Sequence, residues 1–389
     1  MSGSETRVVL IAGGGTAGHV LPGLAIAEAL VDRSVVPDRS GVHLVGSRRG
    51  VEVDLVPPSG FGLTLLPGRG IQRRLTPANL VAASGLALAF LQALALLVRR
   101  RPAVVLSLGG YASVPCALAA IVLRIPLVVV EQNAVPGAAN RLAGRFARAC
   151  AVSFPDTGLP RSTVTGNPVR GAVKAVAYGR RRPGEGASDR RSAREALGVD
   201  ERPFVVVFGG SLGARRINRA AARAVEDWTG GPVVIEHVVG ARGWNDPRER
   251  AGSPAPEVEY RPVEYEADMP TVLSAVDLVV CRAGATSVAE LSAIGVPSIL
   301  IPLPGAPGDH QTANAQYLER CGGARLVPDG ELDGVRLEAE LSALLANPTS
   351  LEAMADGARS VGVPDAADRV VEMIADLLDG RPGSRDSSS

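Results

Sequence analysis

The stretch that most restricts what this chain can fold into is an apolar run, Val8-Val9-Leu10-Ile11-Ala12, that breaks into Gly13-Gly14-Gly15-Thr16-Ala17-Gly18-His19 and then into a helical pattern from about Val20. Strand, glycine turn and helix in that order aim unpaired backbone N–H groups at an anion. Glycine permits close backbone approach and positive φ. Ala17 adds a Cβ within the turn, so that residue is expected to keep negative φ. His19 is the odd member: binding a phosphate does not require a histidine, whereas moving a proton near neutral pH gives one a use.

The layout returns once. Phe204-Val205-Val206-Val207-Phe208 runs into Gly209-Gly210-Ser211-Leu212-Gly213 and a helix from about Arg215. Two similarly built α/β domains are therefore expected, and 389 residues supply two cores. Between and after these points, strands are predicted at 43–46, 62–66, 103–108, 126–130, 149–153, 233–238, 277–281 and 298–301. Helices fall near 51–56, 114–123 and 137–147, and a last amphipathic one over 365–378. That alternation argues for parallel sheets with crossover helices. Residues 165–170 have linker character. Residues 179–192, rich in Arg, Gly, Ser and Pro, are expected to form a mobile loop, and 380–389 a disordered tail. The expected domains are 1–168 and 169–364, then a terminal helix at 365–379.

Residues 78–98 carry no charge and end in Arg99-Arg100-Arg101, a length able to span a bilayer. Pro102 and the strand-like 103–108 follow at once and must rejoin the sheet. The segment therefore reads as a helix packed on the sheet, or as one whose outer face, with Arg73 and Arg74, meets a membrane surface. A net charge of +1 gives no general attraction for nucleic acid. Cys116, Cys150, Cys281 and Cys321 have no metal-ligand spacing and fit a reducing cytosol. The N-terminus does not read as a signal peptide.

Four glycine turns follow strands, at 13–18, 109–110, 209–213 and 283–285, where open α/β sheets bind ligands. Gly13-x-Gly15-x-x-Gly18 also matches a dinucleotide fingerprint, but the second strand ends in Gly46-Ser47-Arg48-Arg49 without the ribose-binding acid, which weakens that reading. In Cys281-Arg282-Ala283-Gly284-Ala285-Thr286 a strand turns into a helix whose N-terminus suits a diphosphate. Glu290 lies one turn further on the same face, where a carboxylate accepts from sugar hydroxyls or simply complements the helix dipole. Gln311 and Asn314 can read hydroxyls, while Asp309 or Thr312 can cap the helix they enter.

In order and spacing, GGGTAGHVLPGLAIAEAL at 13–30, LSLGGYAS at 106–113, EQNAVPGAANR at 131–141, GNPVR at 166–170, GGSLGARRIN at 209–218, CRAGATSVAE at 281–290 and DHQTANA at 309–315 resemble the MurG family over about residues 7–378. The resemblance implies a GT-B fold, with two Rossmann-like domains whose parallel sheets face a central cleft. It implies an inverting transfer of N-acetylglucosamine from UDP-GlcNAc to the 4-hydroxyl of N-acetylmuramoyl-pentapeptide on undecaprenyl pyrophosphate (lipid I), giving lipid II for peptidoglycan. UDP-GlcNAc is then a substrate, and neither a cofactor nor an active-site metal is expected.

By motif match, the donor would be held by Thr16, Ala17, Gly18, Asn133, Arg170, Ser211, Glu266, Arg282, Gly284, Ala285, Thr286, Glu290, His310 and Gln311. Gly14, Gly15, Gly110, Tyr111 and Glu131 would face the acceptor. His19 would be the base, with two rival roles, as a ligand to the acceptor diphosphate or as a turn cap; Glu131 is a lesser candidate base. The polyprenyl acceptor implies peripheral docking to an anionic membrane on the cytoplasmic face. Arg73, Arg74, the 78–98 segment, Ile121, Arg141 and Arg145 would form that surface, with wall-synthesis or division proteins as further partners. A UDP-GlcNAc 2-epimerase shares the architecture and is the competing reading.

Overall fold

The computed structural model describes residues 7–67, 77–182, 185–210 and 214–380. They form two compact units. One takes the chain through Arg170 and again from Asp365; the other is Gly171–Pro364.

The first unit alternates strand and helix as far as β6 and adds one more strand: β1 (Val9–Gly13), α1 (Ala17–Asp32), β2 (Val42–Ser47), α2 (Glu52–Leu55), β3 (Gly62–Leu66), α3 (Pro77–Arg100), β4 (Val104–Gly109), α4 (Ser113–Val122), β5 (Leu127–Glu131), α5 (Ala138–Gly144), β6 (Ala149–Val152) and β7 (Ser162–Val164). The strands make one parallel sheet in the order β3-β2-β1-β4-β5-β6-β7. Being covered on both faces, β1 and β4 are continuous apolar runs instead of alternating ones. Ile11, Leu44, Val104 and Leu106 pack on α1, while Leu10, Val45, Val105 and Val129 pack toward α3 and α4.

In the second unit the order is α6 (Gly171–Arg181), α7 (Glu185–Ala196), β8 (Phe204–Phe208), α8 (Arg215–Glu226), β9 (Val233–Val238), β10 (Val258–Val263), α9 (Met269–Ala275), β11 (Leu278–Cys281), α10 (Ala285–Ile294), β12 (Ser298–Leu300), α11 (His310–Arg320), β13 (Ala324–Leu326), α12 (Gly334–Leu345) and α13 (Pro348–Val361). Its parallel sheet runs β10-β9-β8-β11-β12-β13. The chain then returns to the first unit as α14 (Ala366–Leu378). Val370, Val371 and Ile374 join the core beneath α1, and Arg33 pairs with Asp368 at 3.1 Å and Glu372 at 2.6 Å.

Residues 179–192 depart from the loop expected of them. Their described part is helical, as the end of α6 and much of α7. Apolar periodicity is absent because charge does the anchoring. Arg190 and Arg194 both pair with Asp277, and Arg180 donates to the carbonyls of Leu273 (3.2 Å) and Ser274 (2.9 Å), which lie at the C-terminal end of α9. Strands β7, β10 and β13 went unforeseen. Two are three residues long, and Pro262 breaks the apolar alternation of the edge strand β10. The expected tail beyond 380, like Arg73, Arg74 and Ser211, lies outside the described residues.

Candidate functional site

Each sheet reverses its strand order once, between β1 and β4 in the first unit and between β8 and β11 in the second. Crossovers leave in opposite directions there, which opens a crevice at the carboxyl ends of the two strands. The turns at 13–18 and 109–110 flank the first such point. Those at 209–210 and 282–285 flank the second.

At the first point the two glycine turns touch. Gly110, with φ +78°, leaves no room for a Cβ against the Gly14 carbonyl. Gly15 takes φ +92°, whereas Ala17 begins α1 as an ordinary helical residue. Thr16, extended at φ −138°, is the N-cap but makes no side-chain bond to the helix amides. Its hydroxyl instead lies 3.2 Å from His19 Nδ1. The other ring nitrogen, Nε2, faces Gly109, 3.2 Å from where a Cβ would stand. Gly15 and Thr16 are exposed, and Ala17, Gly18 and His19 half-buried. The first amides of α1 have no partners within the helix. Tyr111 donates its hydroxyl to the Pro67 carbonyl at 3.1 Å, and burial raises its pKa.

Glu131, expected to face the acceptor or to act as a base, is turned inward. It is 2% exposed. One carboxylate oxygen accepts from the Asn133 amide (3.0 Å) and side chain (3.3 Å), the other from Gly137 N (3.1 Å) and Asn140 Nδ2 (2.9 Å). It folds the 131–141 loop and thereby places Asn133. Arg170 stands half-buried where the chain leaves this unit.

At the second point α10 opens on Gly284 with no side-chain cap, so its first-turn amides are available to an anion. The Thr286 hydroxyl is buried without a hydrogen-bond partner within the protein, and a phosphate oxygen would satisfy it. Glu290 is buried one turn along at 7% exposure.

Two side chains, Arg282 and Asn314, hold this turn in place. Arg282, expected to clamp the diphosphate, instead donates to Asp329 at 2.6 Å and to the Ile301 and Pro302 carbonyls at 3.2 Å, with its side chain 12% exposed. Asn314, which the sequence allowed as a hydroxyl reader, is fully buried and donates to the Ala283 carbonyl at 3.2 Å. Gln311 Oε1 accepts from Leu303 N at 2.9 Å, leaving its amide NH2 to other partners, and His310 Nδ1 lies 2.8 Å from the Pro307 carbonyl. Glu266 closes the turn before α9 by accepting from Asp268 N; burial, helped by the charge of Glu266, pushes Glu236 up to about 7.

Of the four histidines, burial pushes His43 and His237 down to about 4. Both are locked in side-chain bonds, to Thr64 and to Asn218 and Tyr260. His19 and His310 are the two that stand at the mouths of helices next to glycine turns. Sequence reasoning passed over Glu52, Asn140 and Asp329, the three residues that position the turns. Gly46 and Gly50 around Glu52 were a signal for the first.

Paired parallel-sheet α/β units with glycine turns at both switch points are the GT-B architecture of nucleotide-sugar glycosyltransferases. The glycosyltransferase family 28 N-terminal domain matches residues 9–152, and the family 28 C-terminal domain matches residues 204–370. The N-acetylglucosamine transferase of Alkalilimnicola ehrlichii, named for acting on N-acetylmuramyl-(pentapeptide) pyrophosphoryl-undecaprenol, is 42% identical over 95% of this chain and 98% of its own. The crystal structure of Acinetobacter baumannii MurG superposes with a TM-score of 0.73 at 28% identity, covering 95% of this chain and 99% of that one. The UDP-GlcNAc 2-epimerase of Neisseria meningitidis shares the fold alone, at TM-score 0.63 and 14% identity over 95% and 99% of the two chains. The chain belongs to the MurG family of UDP-N-acetylglucosamine–N-acetylmuramyl-(pentapeptide) pyrophosphoryl-undecaprenol N-acetylglucosamine transferases.

Proposed function

We propose that this protein transfers N-acetylglucosamine from UDP-GlcNAc to the 4-hydroxyl of N-acetylmuramic acid in lipid I, forming lipid II. The observation that carries the reading at the site is the uncapped start of α10 with the orphaned Thr286 hydroxyl and Glu290 one turn beyond. That spacing suits a diphosphate followed by a ribose. Thr286 and the amides of Gly284–Thr286 take the diphosphate, Glu290 the ribose hydroxyls, and Gln311 and His310 the sugar. Arg282 supports this set through Asp329 without touching the nucleotide. As the sugar departs from UDP, charge grows on the leaving oxygen, and fixed amide dipoles stabilise it. His19 takes the proton of the attacking hydroxyl, and one in-line displacement inverts the anomeric centre. No step is assigned to a metal.

Incubation with labelled UDP-GlcNAc and a lipid I analogue tests the reading. Label in a β-1,4-linked disaccharide lipid supports it; N-acetylmannosamine released without acceptor would establish the epimerase instead. Glu290→Gln is expected to raise KM for UDP-GlcNAc by about 10-fold, the loss of roughly one charge-assisted hydrogen bond, while kcat holds. An unchanged donor KM would remove Glu290 from the ribose site.

The acceptor's lipid tail places the work at a bilayer. Among the described residues no helix is long and apolar enough to cross one. The first unit does expose Leu88 and Leu91 on α3, and Leu142 and Phe146 on and just after α5. Leu91 and Phe146 are 59% and 58% exposed. Arg141, Arg145 and Arg148 lie in the same short segment as Phe146, whereas Ile121, assigned to this face from sequence, packs inward. We assign these side chains to peripheral docking on anionic lipid at the cytoplasmic face, where wall-synthesis or division proteins would also meet it. Combining Leu91→Glu with Phe146→Ser should reduce sedimentation with phosphatidylglycerol vesicles several-fold at low salt, as should raising the salt. Equal sedimentation of variant and parent would refute the assignment.

A further inference from the structure

We propose that Glu52 is the positioning residue of the His19 turn, and that its carboxylate fills the nest formed by the first glycines, so that the acceptor diphosphate does not bind there. Glu52 opens α2 and is 1% exposed. One oxygen accepts from Gly15 N at 3.0 Å; the other accepts from Ser47 N at the end of β2. A single side chain thus ties the turn after β1 to the end of the neighbouring strand.

Three glycines make its socket. A Cβ placed on Gly14, Gly46 or Gly50 would collide with the Glu52 side chain. Gly46 and Gly50 have φ outside the left-handed region, and so does Gly14. Backbone conformation therefore does not demand glycine at these positions; room for the carboxylate does. Glu52 and His19 also line the same cavity of about 10 Å³, walled by Ile11, Val20, Leu44 and Leu108. Such a space is the size of one water molecule. Close packing on that scale transmits a shift of the carboxylate to the imidazole.

The electrostatics follow. The amide that a glycine nest would offer to a phosphate is already bonded to a carboxylate, and a second anion placed against it would meet like charge. The acceptor diphosphate is thereby directed away from Gly14 and Gly15, toward the exposed Thr16, the start of α1 and Gly110. This deepens the proposed transfer and rests on it for its kinetic readout.

Glu52→Gln keeps the shape but turns an NH2 group toward one of the two backbone donors. The expected result is a folded protein with donor KM and acceptor KM within about twofold of the parent and kcat lower by about 10- to 100-fold, the scale of a small misplacement of a reacting group. Amide hydrogen exchange at Gly15 should accelerate at least about tenfold in Glu52→Ala, which removes both acceptor oxygens. A change confined to a rise in acceptor KM would mean that the nest does touch the acceptor, and unchanged kcat would mean that Glu52 positions nothing; either overturns the proposal. Should Glu52→Gln fail to fold, Gly50→Ala crowds the same carboxylate without touching Gly15, and parental kcat in that variant would also overturn it. Gly15 exchange is read without substrate, so it decides the positioning role even if the parent protein transfers no sugar.

Discussion

Replacing His19 with alanine is expected to lower kcat for sugar transfer by about 10²- to 10⁴-fold, the range general-base catalysis contributes. Donor affinity should be unaffected, because the donor ligands proposed at α10 lie in the other unit. Alanine is a better helix former than histidine, so the first turn of α1 should persist. The three roles open to His19 separate cleanly. A base must be neutral to accept a proton, so the parent rate falls as pH drops below the imidazole pKa and the variant loses that acid limb. A cationic ligand of the acceptor diphosphate would show its loss in acceptor KM. A cap bonded to Thr16, at 3.2 Å, would show a lower melting temperature with neither kinetic change. Steady-state kinetics across pH distinguishes these, and a pH–rate profile identical to the parent's removes His19 as the base.

The architecture was legible because its signals are local. A buried parallel strand is an apolar run, and the turn after it needs glycine, so Val8–Gly15 and Phe204–Gly210 disclose their geometry locally. Amphipathic helices such as α14 disclose themselves equally well. Residues 185–196 could not, because α7 is held by arginines that find Asp277 some eighty residues later.

The same division runs through the site. The turns could be found from sequence, and so could His19 and Glu290 on the helices that follow them. Which polar side chains touch a ligand and which hold the turn could not, because a motif records both kinds alike. Arg282 and Asn314 stand inside two motifs of the second unit, at 281–290 and 309–315, yet one bonds Asp329 and the other the Ala283 carbonyl. Glu52 stands outside every motif assigned a ligand, and its carboxylate meets the first turn directly. Burial decides the matter. A polar group enclosed by protein must find its partners there, and such partners come from anywhere in the chain.

Glu131 puts that distinction to the test with the second large effect. Glu131→Ala should destabilise the first unit by about 2–5 kcal/mol, since buried donors left unsatisfied each cost roughly 1–3 kcal/mol. Asn140 is the most exposed to that loss. It is itself 1% accessible, and its remaining bonds, to the Val130 carbonyl and from the Ser107 hydroxyl, cannot replace the carboxylate. For a unit of this size the transition should move down by about 5–15 °C. Glu131→Gln should fall between, because its amide offers one acceptor oxygen where two are needed. Activity per folded molecule should drop through misplacement of Asn133, with the acid limb of the pH profile kept. A base at Glu131 would give the reverse pattern: an unchanged melting temperature, a collapse in kcat and a lost limb. The four donors around the carboxylate require the first pattern, because a group that must release and recover a proton at each turnover cannot also be the fixed acceptor on which its own loop is folded.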